Sequence, residues 1–114
     1  PAPGQGALGI EVRTADSVAR ALLSALDDAT TRAEVAAERA TLSALGAGCS
    51  TPLGARAVAI GDKLTMWATV LSADGSKCVN AAGEGSIAQA TEIGGQVARR
   101  LLAAGAGALV AAQL

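Results

Sequence analysis

The chain reads Leu64-Thr65-Met66-Trp67-Ala68-Thr69-Val70-Leu71 near its middle, and this stretch sets the expected fold. Every second residue from Leu64 to Val70 is aliphatic or methionine, while Trp67 and two threonines stand between them. A period of two over eight residues predicts a β-strand that buries one face. We therefore expect the central strand of a small sheet here.

Two shorter strands are predicted on either side of this one, over residues 55–60 and about 77–82. Residues 61–62, Gly-Asp, form a tight hairpin connection, and the segment 73–76 contains Asp and Gly and forms a second turn. Three consecutive strands joined in this way form an antiparallel meander. A sheet of three strands is not stable alone, so its apolar face must pack under helices.

A helix is predicted before the sheet. Thr31 and Glu34 have the spacing of a capping box, in which both side chains accept hydrogen bonds from first-turn amides. Glycines in the segment 46–48 end the helix. Glu38 and Arg39 within it are interpreted as a solvated face or a local ion pair. The expected apolar face is filled in by alanines and consists of Val35, Leu42 and Leu45.

A second helix is predicted after the sheet, which Gly83 and Gly85 are expected to end. Ser86 and Gln89 form another capping box, and two glycines in the segment 105–107 close the helix and leave a short apolar tail. Its inward side carries Ile87, Ala90, Val97 and Leu101. The order helix, loop, three-stranded antiparallel sheet and helix defines an α+β fold.

The first 28 residues are interpreted as a turn, a strand and a helix. Turn-forming residues occupy 3–6, and apolar residues then alternate over residues 7–13. A helix begins at Asp16 or Ser17, either of which can act as N-cap. Its apolar stripe consists of Val18, Leu22, Leu23 and Leu26. Because the strand has no hairpin partner nearby, we predict that this segment belongs with a unit upstream.

The composition excludes several classes of function. Nine basic and ten acidic residues give a net charge of −1 and are mixed along the chain, so a nucleic acid is not an expected partner. The longest apolar stretches are interrupted by Gly, Arg or Thr before they could span a membrane, so no membrane is expected either. The chain contains no histidine, which removes the usual metal ligand and the usual general base, and we expect no metal site. Two cysteines predict a cytoplasmic protein with free thiols.

The two cysteines have different sequence contexts. Cys49 lies between Gly48 and Ser50 in a predicted loop, where small neighbours leave room for a group on the sulfur. It could equally be a small apolar residue at a helix end. Cys78 lies within an alternating strand and is predicted to be a buried core thiol, and the spacing does not support a disulfide between the two.

Four segments together resemble the hydroxymethylbilane synthase (porphobilinogen deaminase) family. Residues 3–13 are similar to its PAxGQGALGIExR segment, and residues 37–40 are similar to its AERA helix. Residues 48–54 resemble its GGCQVPIG cofactor loop, and Asp74-Gly75 matches a turn in the sheet that follows. Because order and spacing also agree, the resemblance covers essentially the whole chain.

The resemblance implies a transferase of tetrapyrrole and heme biosynthesis. Such an enzyme condenses four porphobilinogen molecules into linear hydroxymethylbilane and releases ammonia. The growing product is held on one dipyrromethane cofactor per enzyme, which is attached by a thioether to the loop cysteine, here Cys49. Gln5 matches a glutamine near the cofactor and is expected to bind it. The resemblance also implies that the intact enzyme is a cytoplasmic monomer.

The resemblance divides the chain into two parts. Residues 1–28 would be the returning strand and helix of the family's first, α/β domain, and residues 29–114 would be its C-terminal cofactor-attachment domain. The substrate cleft, the catalytic aspartate and the arginines that bind acetate and propionate groups belong to the family's two N-terminal domains. We therefore expect no catalytic residue in this chain, no activity of the chain alone, and the missing N-terminal domains as its partners.

The loop departs from the family pattern at four positions. Replacement of the family glutamine by serine removes any polar contact that the glutamine makes, while the cysteine is kept. The four departures are Ala47, Ser50, Thr51 and Leu53.

Two other classes of function are the alternatives to this interpretation. A non-catalytic α+β binding or regulatory module would leave Cys49 unmodified and give residues 4–6 no role. A small thiol redox protein would need a low-pKa cysteine with a resolving partner, and the sequence has no C-x-x-C motif. The mass of the protein distinguishes the three.

Overall fold

A computed structural model describes residues 1–46, 48 and 50–111 of the chain. Two helices precede a three-stranded sheet, and two helices follow it. The elements are α1 (Ser17–Ser24), α2 (Ala29–Ala44), β1 (Leu53–Ile60), β2 (Lys63–Leu71), β3 (Cys78–Ser86), a single 3₁₀ turn (Ile87–Gln89), α3 (Ala90–Ala103) and α4 (Ala106–Ala111).

The sheet is an antiparallel meander in the order β1-β2-β3, as the sequence predicts. The alternation in β2 places Leu64, Met66 and Val70 on the inner face, where all three are fully buried. Trp67 lies on the outer face and is half exposed. Helices α2 and α3 cover the inner face, which confirms the α+β fold.

β3 is longer than predicted, because Gly83 and Gly85 continue the strand instead of ending it. Both glycines face α3. A Cβ on Gly83 would lie 2.9 Å from Val97 Cγ2, and a Cβ on Gly85 would lie 3.0 Å from Ile93 Cδ1. The glycines therefore allow α3 to approach the sheet closely.

Helix α2 begins two residues before the predicted capping box. Asp28 is its N-cap and accepts a hydrogen bond from the Thr31 N–H at 2.7 Å. This hydrogen bond lowers the pKa of Asp28. The capping box of Thr31 and Glu34 is therefore wrong, and the Glu34 carboxylate contacts β1 instead.

The buried face of α2 also differs from the predicted one. Ala33, Ala37 and Thr41, spaced by four residues, face the core. Of the three predicted residues, Leu45 is buried as expected, Leu42 is half buried against the core, and Val35 is half buried. The small side chains allow α3 to approach α2. The Thr41 hydroxyl donates to the Gly94 carbonyl at 2.9 Å across this contact.

Residues 106–111 are helical where a short apolar tail was predicted. Gly105, with φ of 97°, ends α3 as expected. Gly107 does not close that helix, because it lies within α4, which buries Ala106 and Val110. No helix within residues 1–46 or 50–111 is long and apolar enough to cross a membrane.

The N-terminal segment separates into a docked turn and an exposed remainder. Residues 7–13, predicted as a strand, pair with none of the described strands. An extended segment without a partner leaves its backbone groups to water, so it is not a strand here. Helix α1 forms at its predicted position with Asp16 as N-cap, but it buries no residue. The exposed apolar side chains of this segment are Leu8, Ile10, Val12, Val18, Leu22 and Leu26.

Candidate functional site

The outer edge of β1 is hydrogen-bonded to two other parts of the chain, the N-terminal turn and α2. β1 is an edge strand, and every second N–H group along it points away from β2. Three of these groups, two residues apart, have acceptors from outside the sheet. They are Ala55 with the Pro1 carbonyl at 2.9 Å, Ala57 with Glu38 Oε1 at 2.8 Å, and Ala59 with Glu34 Oε1 at 2.8 Å.

Glu38 connects this edge to the N-terminal turn. The residue is buried, with 8% of its surface exposed. Oε1 accepts from the Ala57 N–H, and Oε2 accepts from the Gly4 N–H at 2.6 Å. The prediction of a solvated Glu38 is therefore wrong, because two backbone donors compensate its carboxylate for the loss of water. Arg39, which points elsewhere on α2, is exposed as predicted.

The turn itself is built from glycines and a glutamine. Gly4 and Gly6 have φ of 74° and 86°, a conformation that favours glycine. The Gln5 N–H donates to the Ala2 carbonyl at 3.0 Å, and the Gln5 side-chain oxygen accepts from the Ala2 N–H at 2.8 Å. The rest of the Gln5 side chain is exposed, at the surface of the docked turn.

A pocket of about 460 Å³ lies between this turn, α2 and β1. Its walls combine backbone of the turn with two carboxylates and one guanidinium. The lining residues that carry polar or charged side chains are Gln5, Thr31, Glu34, Glu38 and Arg56. Both glutamates already accept from backbone N–H groups, which leaves Gln5, Thr31 and Arg56 as the other polar side chains of the lining.

Cys49, the residue predicted to hold the cofactor, lies outside the described residues. Its neighbours on both sides are described. Gly46 ends α2 with φ of 62°, and the Thr51 N–H donates to the Gly48 carbonyl at 3.0 Å. Gly48 and Ser50 are exposed, and a Cβ on Gly48 would meet nothing within 4 Å. The described flanks of Cys49 are therefore small and open to solvent.

The structure brings Gln5 to the strand that follows the Cys49 segment. The Pro1 carbonyl accepts a hydrogen bond from Ala55, the third residue of β1. The turn that contains Gln5 continues along the same edge. The sequence separates Gln5 and Cys49 by more than forty positions. The structure thus describes the surroundings of one of the two predicted site residues, Gln5, and places that residue at this edge.

Cys78 is exposed, and the prediction of a buried thiol is wrong. Alternation in β3 places Val79 and Ala81 toward the core, while Cys78 and Asn80 face the outer side. Cys78 lies opposite Leu71 at the end of the hairpin. A period of two predicts that one face is buried, but it does not say which one.

Comparison with known sequences supplies the family. Residues 32–103 match the sequence model described as "Porphobilinogen deaminase, C-terminal domain". This match covers more than half of the chain. The chain belongs to the porphobilinogen deaminase family.

Individual members of the family are similar over nearly the whole chain. The porphobilinogen deaminase of Mycobacterium tuberculosis (strain ATCC 25618 / H37Rv) is 45% identical over 115 residues, which cover 93% of this chain and 37% of that protein. Those of Mycobacterium avium (strain 104) and Deinococcus radiodurans are 44% and 40% identical, and the matches cover 93% and 98% of this chain. The chain spans little more than a third of the length of these relatives, 36–37%.

The sequence interpretation missed the two glutamates that contact β1. Glu34 and Glu38 are one helical turn apart, and each directly follows an alanine of the buried face, Ala33 or Ala37. The four-residue spacing of the alanines was the available signal, because it places both glutamates at the border of the buried face.

Proposed function

We propose that this chain is the cofactor-attachment part of an enzyme that condenses four porphobilinogen molecules into linear hydroxymethylbilane. Each condensation forms one carbon–carbon bond and releases one ammonia. The observation that carries the proposal is the family match over residues 32–103. The relatives are named porphobilinogen deaminase. That name contains the substrate, porphobilinogen, and the release of ammonia that we propose for this enzyme.

Cys49 is proposed to hold a dipyrromethane cofactor through a thioether. The exposed, small flanks at Gly48 and Ser50 support this role, because a bulky group on the sulfur needs open space. A thioether anchor does not turn over, so it needs no neighbouring base, and the absence of histidine is compatible with it. When bound, the cofactor supplies the covalent primer, and tethering keeps the growing product at one site.

Gln5 is proposed to bind the same cofactor. Gln5 is exposed and lines the pocket, as does Arg56 on β1. An amide and a guanidinium can both donate hydrogen bonds to carboxylate groups, which the cofactor carries as acetate and propionate. The proton that each departing ammonia requires must come from a carboxylic acid outside this chain.

Residues 1–28 are proposed to belong to the family's first domain and residues 29–114 to its third. Two observations support this boundary. Helix α2 begins at Ala29 after the N-cap Asp28, and six large apolar side chains between residues 8 and 26 are exposed in the described part of the chain. We propose that the remaining domains cover them, that the intact enzyme is a cytoplasmic monomer, and that the chain alone is inactive.

The intact mass of a full-length enzyme that contains this sequence tests the anchor. The wild type is expected to carry a dipyrromethane-sized mass increase and to give colour with an acidic aldehyde reagent. Cys49→Ala is expected to lose both together with activity. Cys78→Ala is the matched control, because it removes the second cysteine of the chain, which is exposed. This control should keep the adduct, because Cys78 is the other thiol of the chain and is not the proposed anchor.

Two other outcomes would count against the proposal. An adduct that persists in an active Cys49→Ala enzyme would show that another residue is the anchor. An unmodified, inactive wild type that porphobilinogen cannot reconstitute would favour a non-catalytic binding module.

A further inference from the structure

We propose that Glu38 is the positioning residue that fixes the Gly4-Gln5-Gly6 turn on the edge of β1. The buried carboxylate has one oxygen on each partner, Oε2 on the Gly4 N–H and Oε1 on the Ala57 N–H. It therefore joins three separate parts of the chain, namely the N-terminal turn, α2 and β1. The family match begins at residue 32 and does not include the turn.

Glu34 provides the comparison that gives Glu38 this role. It lies one helical turn before Glu38 on the same side of α2, and its carboxylate also accepts from β1, at the Ala59 N–H. No hydrogen bond joins it to the N-terminal turn within the described residues. Glu34 thus hydrogen-bonds only to the edge of β1 among these two partners, whereas Glu38 hydrogen-bonds both to that edge and to the N-terminal turn.

The turn has few other attachments to the domain. The Pro1 carbonyl accepts from the Ala55 N–H, and a Cβ on Gly4 would lie 3.9 Å from Val35 Cγ1. Beyond Ala7 the segment up to α1 is exposed. The hydrogen bond from Gly4 to Glu38 is made to a charged, buried acceptor, which is the stronger kind of hydrogen bond.

The position of Gln5 follows from these attachments. Gln5 directly follows Gly4, and its own hydrogen bonds with Ala2 keep the turn closed. Glu38 therefore sets where the Gln5 side chain lies relative to β1, without touching a ligand itself. The consequence for catalysis rests on the proposed function, in which Gln5 binds the cofactor.

Amide hydrogen exchange of the 114-residue chain tests the positioning role directly. Glu38→Gln keeps the shape but replaces one acceptor oxygen by a donor NH₂ group, so one of the two backbone N–H groups loses its acceptor. We expect exchange at Gly4 or Ala57 to accelerate by about tenfold or more in Glu38→Gln, and at both in Glu38→Ala. Amides of β2 should keep their exchange rates in Glu38→Gln, so that the variant is decisive even if Glu38→Ala fails to fold.

Glu34→Gln is the matched control for exchange, because one acceptor oxygen is enough for its single hydrogen bond to Ala59. It should leave Gly4 unchanged. Unchanged exchange at both Gly4 and Ala57 in Glu38→Gln and Glu38→Ala would overturn the proposal. So would equal acceleration at Gly4 in Glu34→Gln.

The intact enzyme separates this proposal from the proposed function. Glu38→Gln is expected to keep the dipyrromethane mass and to lose turnover by about tenfold, with Glu92→Gln, on the exposed side of α3, as the activity control. Wild-type turnover in Glu38→Gln would overturn the catalytic consequence. Absence of the adduct from the wild type would refute the proposed function, and the exchange result for Gly4 would still stand.

Discussion

Helices α1 and α2 begin in the same way and lie in opposite environments. Asp16 accepts from the Ala19 N–H at 2.9 Å, and Asp28 accepts from the Thr31 N–H at 2.7 Å. Yet α1 buries no residue, whereas α2 buries four. Capping is a local interaction and forms wherever the sequence allows it, but burial requires a second surface within reach.

The side chains on the two helices make the contrast sharper. On α1 the apolar side chains of Val18 and Leu22 are exposed, whereas the four buried residues of α2 include two alanines, Ala33 and Ala37, and no leucine. Apolar content therefore does not decide which helix is packed. Small residues permit the close contact between α2 and α3, whereas no residue of α1 is buried by the described part of the chain.

Replacing one leucine of the packed core and one leucine of α1 should give the largest difference in the free energy of unfolding. Leu101→Ala removes a fully buried side chain from α3 and is expected to lower the free energy of unfolding by about 2–5 kcal/mol. Leu22→Ala removes an exposed side chain from α1 and should change it by less than about 0.5 kcal/mol. Urea denaturation of both variants measures the difference.

A comparable loss in Leu22→Ala would mean that another molecule covers α1 in solution. Sedimentation over a range of concentrations would then reveal the association.

Glycine replacement should give the next largest difference. A Cβ on Gly94 would lie 2.8 Å from the Ala40 Cβ and would also overlap the Ala37 carbonyl, so Gly94→Ala must push α2 and α3 apart. We expect a loss of about 1–3 kcal/mol in the free energy of unfolding. Gly9→Ala, in the exposed segment, meets nothing within 4 Å and should be close to neutral.

Gly95→Ala is the control within the same helix. Its Cβ would meet only Arg99 Nη1, at 3.5 Å, and alanine favours helix by up to about 1 kcal/mol. A loss in Gly95→Ala as large as that in Gly94→Ala would contradict the close contact between α2 and α3.

The two N-caps should give the smallest difference. Asp28→Ala should lower the thermal midpoint of global unfolding, because α2 is part of the packed core. Asp16→Ala should reduce the helicity of α1 and leave that midpoint unchanged. Circular dichroism during heating measures both quantities.

The effect of Asp28 should also depend on pH. Its pKa is lowered in the folded protein, so its stabilising contribution is present above the ordinary value of 3.8 and is lost as the pH falls through the lower folded value. The difference between wild type and Asp28→Ala should therefore narrow in acid. A constant difference from pH 6 to pH 2 would show that the charge of Asp28 does not contribute.

Some features of this protein followed from the sequence alone. The alternation over residues 64–71 predicts β2 and its buried face, and short turns make the meander antiparallel. The capping box of Ser86 and Gln89 forms as predicted at the start of the second helical region. These features depend on residues that are close together in the chain, and the motifs that identify the family are also local.

Other features were decided only by the tertiary structure. The outward orientation of Cys78 depends on which face of the sheet the helices cover, and the continuation of β3 through Gly83 depends on the approach of α3. The burial of Glu38 requires the Gly4 turn and the edge of β1 to meet, across 34 and 19 positions of sequence. Charge alone favours solvent for such a side chain, and only the two backbone donors brought together by the fold reverse that preference.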